Sequence, residues 1–337
     1  MKKKIAKPAV THRKKIVVIF TGGTISMTVN KQTNAAIPTL SSTDIMSLID
    51  HIKDLTELEL IDFSAIPGPH MTPEKMMALR NLVKKKINDP NIDGIVITHG
   101  TDNLEETAFL LDLTLKTKKP VVMTGSMRNA SELGYDGPSN LASAILSALH
   151  EASCGRGVLV VLNDEINAAR EVTKTHTMSL DTFKSLEFGP LGIVDSNHVI
   201  YYRHETFARI HIDTDTIVAD VALIKVASGM DSRLIDFSVA SAAAGIVIEG
   251  MGRGNVPPGL MPGIKHAIRL GVPVVLVSRN PLGRIMPSYG YQGGGLSLKE
   301  AGVIMASNLN GQKARIALML ALSQTRKLDE LRTYFEL

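Results

Sequence analysis

Ile95-Val96-Ile97-Thr98-His99-Gly100-Thr101-Asp102-Asn103-Leu104-Glu105-Glu106 is the stretch on which the fold of this chain turns. An apolar, β-branched run breaks at a glycine and continues into an amphipathic segment, residues 107–115. A buried strand, a tight turn and a helix start are the expected elements. Thr101 and Asp102 then fall at the carboxyl end of a strand, where open α/β sheets keep their ligands. An earlier stretch, Val17-Val18-Ile19-Phe20-Thr21-Gly22-Gly23-Thr24-Ile25, has the same shape and also ends on a hydroxyl.

The same alternation extends outward in both directions. Residues 15–20, 58–63, 95–98, 120–124 and 157–162 read as strands. Helices are expected over 42–52, with Ser42 or Thr43 as cap, over 72–87, from Asp102 onward, and from Asp136 through His150. This predicts an α/β chain whose larger N-terminal domain, residues 15–190, has a mainly parallel sheet with helices on both faces. Residues 27–38 are polar and without period, and read as a mobile loop beside the first glycine turn. From Gly189 the pattern lapses into short alternating stretches with polar turns, and residues 191–216 are the expected linker. Strand-like runs at 218–226, 244–249 and 272–277 predict a smaller C-terminal α/β domain, 217–337, closed by an apolar helix at 314–322.

Composition narrows the partners. The chain has 337 residues, enough for two substantial cores, and 44% of them are hydrophobic. No apolar run approaches the roughly 18 residues that a membrane-spanning helix needs. The N-terminus lacks the apolar stretch of a signal peptide, so a cytoplasmic location is expected. A single cysteine, Cys154, rules out an internal disulfide. Seven of the 37 basic side chains precede Ile16 and the first acidic one is Asp44, leaving 30 basic against 33 acidic groups. Residues 1–14 are therefore expected to be a basic, partly disordered tail. It lacks the interleaved aromatics of a nucleic-acid platform, so no nucleic-acid partner is expected.

The chemistry suggested by the turns is that of hydroxyl groups. Gly22-Gly23 follows a strand, but neither GxGxxG nor GxxxxGK[ST] is present, which argues against a phosphate cradle. What the glycines permit is close backbone approach, with the Thr24 hydroxyl beside N–H groups, a layout for attack on an amide or ester carbonyl. A turn with Thr24 bonded to its own backbone is the plainer alternative. Asp102 and Glu105 have the spacing of a capping pair, so Asp102 is either a helix cap or a functional acid. A lysine could serve as the base, and the sequence offers many. Lys174, in Thr173-Lys174-Thr175 beyond the fifth strand, comes from the correct edge of the sheet, with an exposed surface lysine as the plainer reading. His99 is expected to support its turn. The histidines form neither HxxxH nor HExxH and no GxSxG is present, so neither a metal site nor a Ser–His–Asp system is expected.

With Phe20-Thr21-Gly22-Gly23-Thr24-Ile25 and Ile97-Thr98-His99-Gly100-Thr101-Asp102-Asn103-Leu104-Glu105-Glu106 in this order, the chain resembles the bacterial-type L-asparaginase family, which includes glutaminase-asparaginases. Residues 120–128, 136–140, 157–164, 172–175, 182–190, 252–255 and 310–322 are similar as well, so the resemblance runs from Lys15 nearly to the end. It implies hydrolysis of L-asparagine to L-aspartate and ammonia, with glutamine a minor substrate and no cofactor. It implies Thr24 as the nucleophile forming an acyl-enzyme, with Thr101, Asp102 and Lys174 as a second hydroxyl–acid–base group. Asp102 would also bind the substrate's α-amino group, and Ser126 would face the leaving amide through its carbonyl. Gly100 would help to hold the carbonyl oxygen, and Asn255 would come from a neighbouring subunit of a homodimer or homotetramer.

Two departures stand out. Many members carry a tyrosine in the mobile loop, where this chain has Ala35-Ala36-Ile37-Pro38. At the usual substrate-carboxylate serine it has Pro67-Gly68-Pro69-His70, so the Gly68 N–H or the His70 side chain would have to substitute. Tyr289 or Tyr291, in a glycine-rich stretch, is the expected source of the missing phenol. The competing functions are the amidase subunit of a glutamyl-tRNA amidotransferase and a non-catalytic amino-acid-binding relative. The former carries an additional N-terminal domain, for which residues 2–14 are short. The latter would not need the retained Thr24, Thr101, Asp102 and Lys174.

Overall fold

Strand β1 (Lys15–Gly22) lies one strand in from the edge of an eight-stranded sheet in the computed structural model, which describes residues 13–336. The tail expected over residues 1–14 therefore lies almost wholly outside the described residues. After a short 3-10 turn, Thr24–Ser26, come β2 (Met27–Asn30), β3 (Ala35–Pro38), α1 (Ser42–Ser47) and β4 (Glu57–Ile66). Then follow α2 (Pro73–Ile87), β5 (Gly94–Thr98), α3 (Leu104–Thr114), β6 (Val121–Thr124), α4 (Gly137–Leu149) and β7 (Val158–Leu162). Next are β8 (Glu165–Ala168), the two-residue pair β9 (Thr173–Lys174) and β10 (Phe183–Lys184), then β11 (Gly192–Asp195) and β12 (His198–Tyr201).

The sheet order is β12-β11-β8-β7-β6-β5-β1-β4, with β4, β1, β5, β6 and β7 parallel and β8, β11 and β12 antiparallel. Continuous apolar strands arise because both faces are covered. In β1, Val17 and Ile19 pack with Leu79 and Val83 of α2 and Leu111 of α3. Ile16, Val18 and Phe20 point the other way, onto Ile45 of α1 and Leu141 and Ile145 of α4. From β1 the chain steps outward to β4 and then crosses back to β5 on the other side of β1. That reversal leaves a crevice beyond the carboxyl ends of β1 and β5, where open sheets bind ligands. Thr24 and Thr101 both follow those ends.

Some sequence expectations are corrected here. Residues 27–38 form an antiparallel hairpin, β2 with β3, in place of an irregular loop. Its polar turn is fixed by Asn30, whose Oδ1 accepts from the backbone N–H of Gln32 and Thr33 at 2.8 and 3.2 Å. Helix α1 is capped by Ser41, one residue before the expected caps, in a reciprocal capping box with Asp44. Residues 192–201, assigned by sequence to the linker, extend the large sheet as β11 and β12. Their connection puts Ser196 and Asn197 at φ 49° and 67°, the paired positive values of a tight hairpin whose twist matches its strands. Asn163 and Asp164, at φ 49° and 59°, turn β7 into β8 in the same way. Short polar hairpins of this kind carry too little periodicity to stand out from a linker.

The second domain comprises β13 (Val221–Lys225), α5 (Arg233–Ala240), β14 (Gly245–Gly250), α6 (Met261–Arg269), β15 (Val274–Ser278), α7 (Gly295–Glu300), β16 (Ile304–Met305), α8 (Gly311–Ala321) and α9 (Leu328–Arg332). Its four strands are parallel in the order β13-β14-β15-β16. Helix α8 packs against β13, β14 and β15 and also against α3 of the first domain. One apolar cluster consequently runs from Phe109 and Leu113 through Ile316 and Leu320 to Val247 and Val275. Among the described residues, no helix is long and apolar enough to cross a membrane.

Candidate active site

Three backbone turns meet at the crevice because glycine lets them. Gly22 and Gly23 have φ 102° and 82°, values that favour glycine. A Cβ on Gly22 would lie 2.5 Å from the Ile66 nitrogen, and one on Gly23 2.5 Å from the Gly100 Cα. A Cβ on Gly100 would lie 2.6 Å from the Gly68 Cα. The ends of β1, β4 and β5 are thus packed backbone to backbone. Thr21 Oγ1 strengthens the junction by donating to the Thr98 carbonyl at 2.9 Å.

Thr24 opens the 3-10 turn that follows, and Ile25 and Ser26 are buried beneath it. Ser26 Oγ donates to the Gly23 carbonyl at 2.9 Å, and the Tyr135 hydroxyl donates to the Ile25 carbonyl at 2.5 Å. Burial, with Asp136 alongside, pushes the Tyr135 phenol above its ordinary range, so it remains a donor. Among the described residues, no side-chain hydrogen bond engages Thr24 Oγ1, although Ser26 and Tyr135 brace its turn. The backbone-bonded turn threonine considered from the sequence is therefore not what forms.

Thr101 is buried at the end of β5, and Lys174 reaches it from β9. Lys174 Nζ donates to Thr101 Oγ1 at 3.0 Å and to Asp102 Oδ1 at 2.9 Å. The capping pair of Asp102 and Glu105 does not form. Helix α3 starts after Asn103, without a side-chain cap bond, and Asp102 remains 63% exposed with Lys174 as its partner. Glu105 turns instead toward Thr173 Oγ1 at 3.1 Å, Gln312 Nε2 at 3.2 Å and Asn310 Nδ2 at 2.9 Å. His99 supports the turn: Nδ1 donates to the Gly100 carbonyl at 2.8 Å, leaving Nε2 to accept from Thr107 Oγ1 at 2.9 Å. Complete burial pulls its pKa down to about 4 against the opposing Gly100 carbonyl, so the ring is neutral.

The remaining residues divide. Gly68 is buried against Gly100, but the His70 ring is exposed and makes no hydrogen bond among the described residues. Ser126 is fully buried beside this junction, since a Cβ on neighbouring Gly125 would lie 2.5 Å from the His99 carbonyl and 3.3 Å from Thr101 Cγ2. Its hydroxyl is occupied, donating to Asp136 Oδ1 at 2.9 Å. Asp136 also accepts from the N–H groups of Met127 and Arg128 at 3.0 and 2.9 Å, which fixes the loop. Asn255 stands apart in the second domain, its Oδ1 accepting from the Gly295 N–H at 3.2 Å. Tyr289 and Tyr291 lie close to each other, ring centroids 5.6 Å apart, and no hydrogen bond among the described residues joins either phenol to the Thr24 turn.

Tyr135, Asn310, Gln312 and Lys313 were not singled out from the sequence as site residues. A lysine inside the apolar helix at 311–321 was the available signal. Lys313 is buried and donates to the carbonyls of Arg170 and Val172, just upstream of Lys174. Burial pushes its pKa down to about 8, against the pull of Glu105. A cleft of about 340 Å³ between the domains includes Lys174, Glu249, Arg279 and Lys313 but neither Thr24 nor Thr101. Thr24, half-buried, and Thr101, buried, follow the ends of β1 and β5, where open sheets keep their ligands. Among the described residues no cluster of His, Cys, Asp or Glu is placed to hold a metal ion.

Two family models match the chain, "Asparaginase, N-terminal" over residues 15–207 and "Glutaminase/Asparaginase C-terminal domain" over residues 220–335. The chain belongs to the asparaginase family. It is 33% identical to an L-asparaginase of Bacillus licheniformis, over 93% of this chain and 97% of that protein. It is 37% identical to a probable L-asparaginase of Deinococcus radiodurans, over 95% and 97% of the two chains. Its structure is similar to that of a probable cytoplasmic L-asparaginase from Campylobacter jejuni, with a TM-score of 0.86 and 31% identity over 96% of this chain and 99% of that one. The large parallel-centred domain followed by a smaller one agrees with this asparaginase architecture, as expected from the sequence.

Proposed function

We propose that this chain hydrolyses the side-chain amide of L-asparagine to L-aspartate and ammonia, with glutamine a minor substrate, through an acyl-enzyme on Thr24. The observation that carries the reading is the juxtaposition of an unengaged hydroxyl, Thr24, with a second hydroxyl, Thr101, that is held by Lys174 and adjoins Asp102. Because Thr101 Oγ1 accepts from Lys174, its own O–H is left to donate toward the crevice.

Thr24 Oγ attacks the amide carbon, and its proton passes to the leaving nitrogen as the carbon–nitrogen bond breaks, releasing ammonia. Water then attacks the ester, giving the carboxyl group and restoring the Thr24 hydroxyl. Backbone N–H groups around Gly100 stabilise the oxyanion. The exposed Asp102 carboxylate takes the α-ammonium group in a charge-assisted hydrogen bond. Pro67 and Pro69 have no N–H, so the Gly68 N–H or the His70 side chain takes the α-carboxylate. The Ser126 carbonyl faces the leaving amide. Asn255 from a second copy of the chain, in a homodimer or homotetramer, completes the site, and Tyr289 or Tyr291 supplies a phenol. The protein works in the cytoplasm, and the two domains divide between β12, which ends at Tyr201, and β13, which begins at Val221.

Ammonia release from asparagine, glutamine and their D-isomers by the purified protein tests the proposal. L-Asparagine should be the preferred substrate, and Thr24→Ala should abolish turnover while leaving the fold intact. Full turnover by Thr24→Ala would refute the acyl-enzyme assignment. Binding of asparagine by the unaltered protein without ammonia release would favour the non-catalytic reading.

A further inference from the structure

Lys174 needs an external anchor. Its strand, β9, has two residues, pairs with the equally short β10, and is not part of either large sheet. A catalytic lysine on so small a ribbon loses its aim unless side chains hold the ribbon. Glu105 supplies that hold. It lies in the first turn of α3, just beyond Thr101 and Asp102, and is only 4% exposed. Oε1 accepts from Thr173 Oγ1 at 3.1 Å, from the Lys174 N–H at 3.5 Å and from Gln312 Nε2 at 3.2 Å. Oε2 accepts from Asn310 Nδ2 at 2.9 Å and lies 3.9 Å from Lys313 Nζ.

From this arrangement we infer that Glu105 is a positioning residue that aims Lys174 at Thr101 and Asp102, and that the C-terminal domain sets its grip through Asn310 and Gln312. The inference rests on the asparagine-hydrolase reading above, in which Lys174 acts on Thr101. Every group pointing at the Glu105 oxygens is a donor, so the anchor requires a side chain that only accepts. Asn310 cannot simply reverse its amide to suit a different partner. Its Oδ1 caps helix α8 by accepting from the Lys313 N–H at 3.0 Å, which commits Nδ2 to Glu105. The link between domains is thus directional.

That directionality makes the inference testable by exchange. Glu105→Gln keeps an oxygen for Thr173, Lys174 and Gln312 but turns an NH2 group toward the Asn310 NH2. Adding Asn310→Asp replaces that donor with an acceptor, keeps the cap and conserves the net charge. The expected result is a fall in kcat of about tenfold in Glu105→Gln, from a small misplacement of Lys174, with KM for asparagine changed by less than about twofold. The double variant should recover to within about twofold of the parent. Thr173→Val, which removes one donor and keeps the shape, should lower kcat several-fold and gives a second readout if Glu105→Gln does not fold. Unchanged kcat in whichever of these single variants fold would overturn the inference. So would a kcat loss that follows the melting temperature and is not recovered by the exchange. Failure of the parent protein to release ammonia would instead count against the asparagine-hydrolase reading, so the two failures are distinguishable.

Discussion

Gly23 and Gly100 touch backbone to backbone: a Cβ added to Gly23 would stand 2.5 Å from both the nitrogen and the Cα of Gly100. This contact lets the turn carrying Thr24 approach the turn carrying Thr101. Neither residue has a side chain, and that is what sets the spacing of the two turns that carry the hydroxyls. Gly23 also has φ 82° and ψ −177°, a region essentially reserved for glycine.

Gly23→Ala should therefore fail on two counts. The conformation costs about 1–3 kcal/mol for a residue with a Cβ, before the clash with Gly100 is added. We expect a melting temperature lower by several degrees and turnover reduced by more than about 100-fold, because the turns must separate. Calorimetry and ammonia release measure the two effects. A variant with parental values for both would show that the turns can part without consequence.

Tyr135→Phe tests the brace under the Thr24 turn. The change removes the hydroxyl that donates to the Ile25 carbonyl at 2.5 Å and keeps the ring. Loss of a hydrogen bond to a shielded carbonyl should cost about 1–2 kcal/mol. The Thr24 turn should loosen, so kcat should fall several-fold while the far side of the sheet is unaffected. Urea unfolding and steady-state kinetics report on the two quantities, and equal stability of parent and variant would remove the brace from the account.

His99 predicts an acid-side loss of stability. Its pKa is about 4 in the fold, through burial, against an ordinary value of 6.5. Between those values the unfolded chain binds a proton that the folded chain refuses, so stability falls as pH drops from 6.5 toward 4 and levels off below. The full contribution is about 3 kcal/mol. His99→Gln has no titrating ring, and its amide matches the donor and acceptor needs of Gly100 and Thr107. The stability gap between parent and variant should shift in favour of the variant across that pH range. Denaturant midpoints that run parallel from pH 7 to 4.5 would rule out His99 as the source.

Much of this site was legible in the chain itself. Val17 to Thr24 and Ile95 to Asp102 each show an apolar strand, a glycine break and a hydroxyl, and such local patterns survive without tertiary context. Lys174 was placed at the correct edge because it follows the fifth strand closely. The role of Glu105 is not legible in the sequence, for the opposite reason. Its spacing from Asp102 fits a cap, but donors from residues 173, 310 and 312 outcompete that local bond. The hairpins at residues 27–38 and 192–201 were hidden because their turns are polar and their strands short.

Sequence by itself determined the alternation of strands and helices, the two glycine turns and the identity of the hydroxyls, since each depends on neighbours a few residues away. Only the tertiary structure decided that β1 and β5 lie side by side across the sheet's reversal point. Only it decided that Lys174 bonds Thr101, 73 residues distant, and that Glu105 answers to Asn310, 205 residues distant. Those pairings depend on hydrogen-bond partners brought together by packing of the core, and no local pattern in the chain encodes which buried donor will face which acceptor.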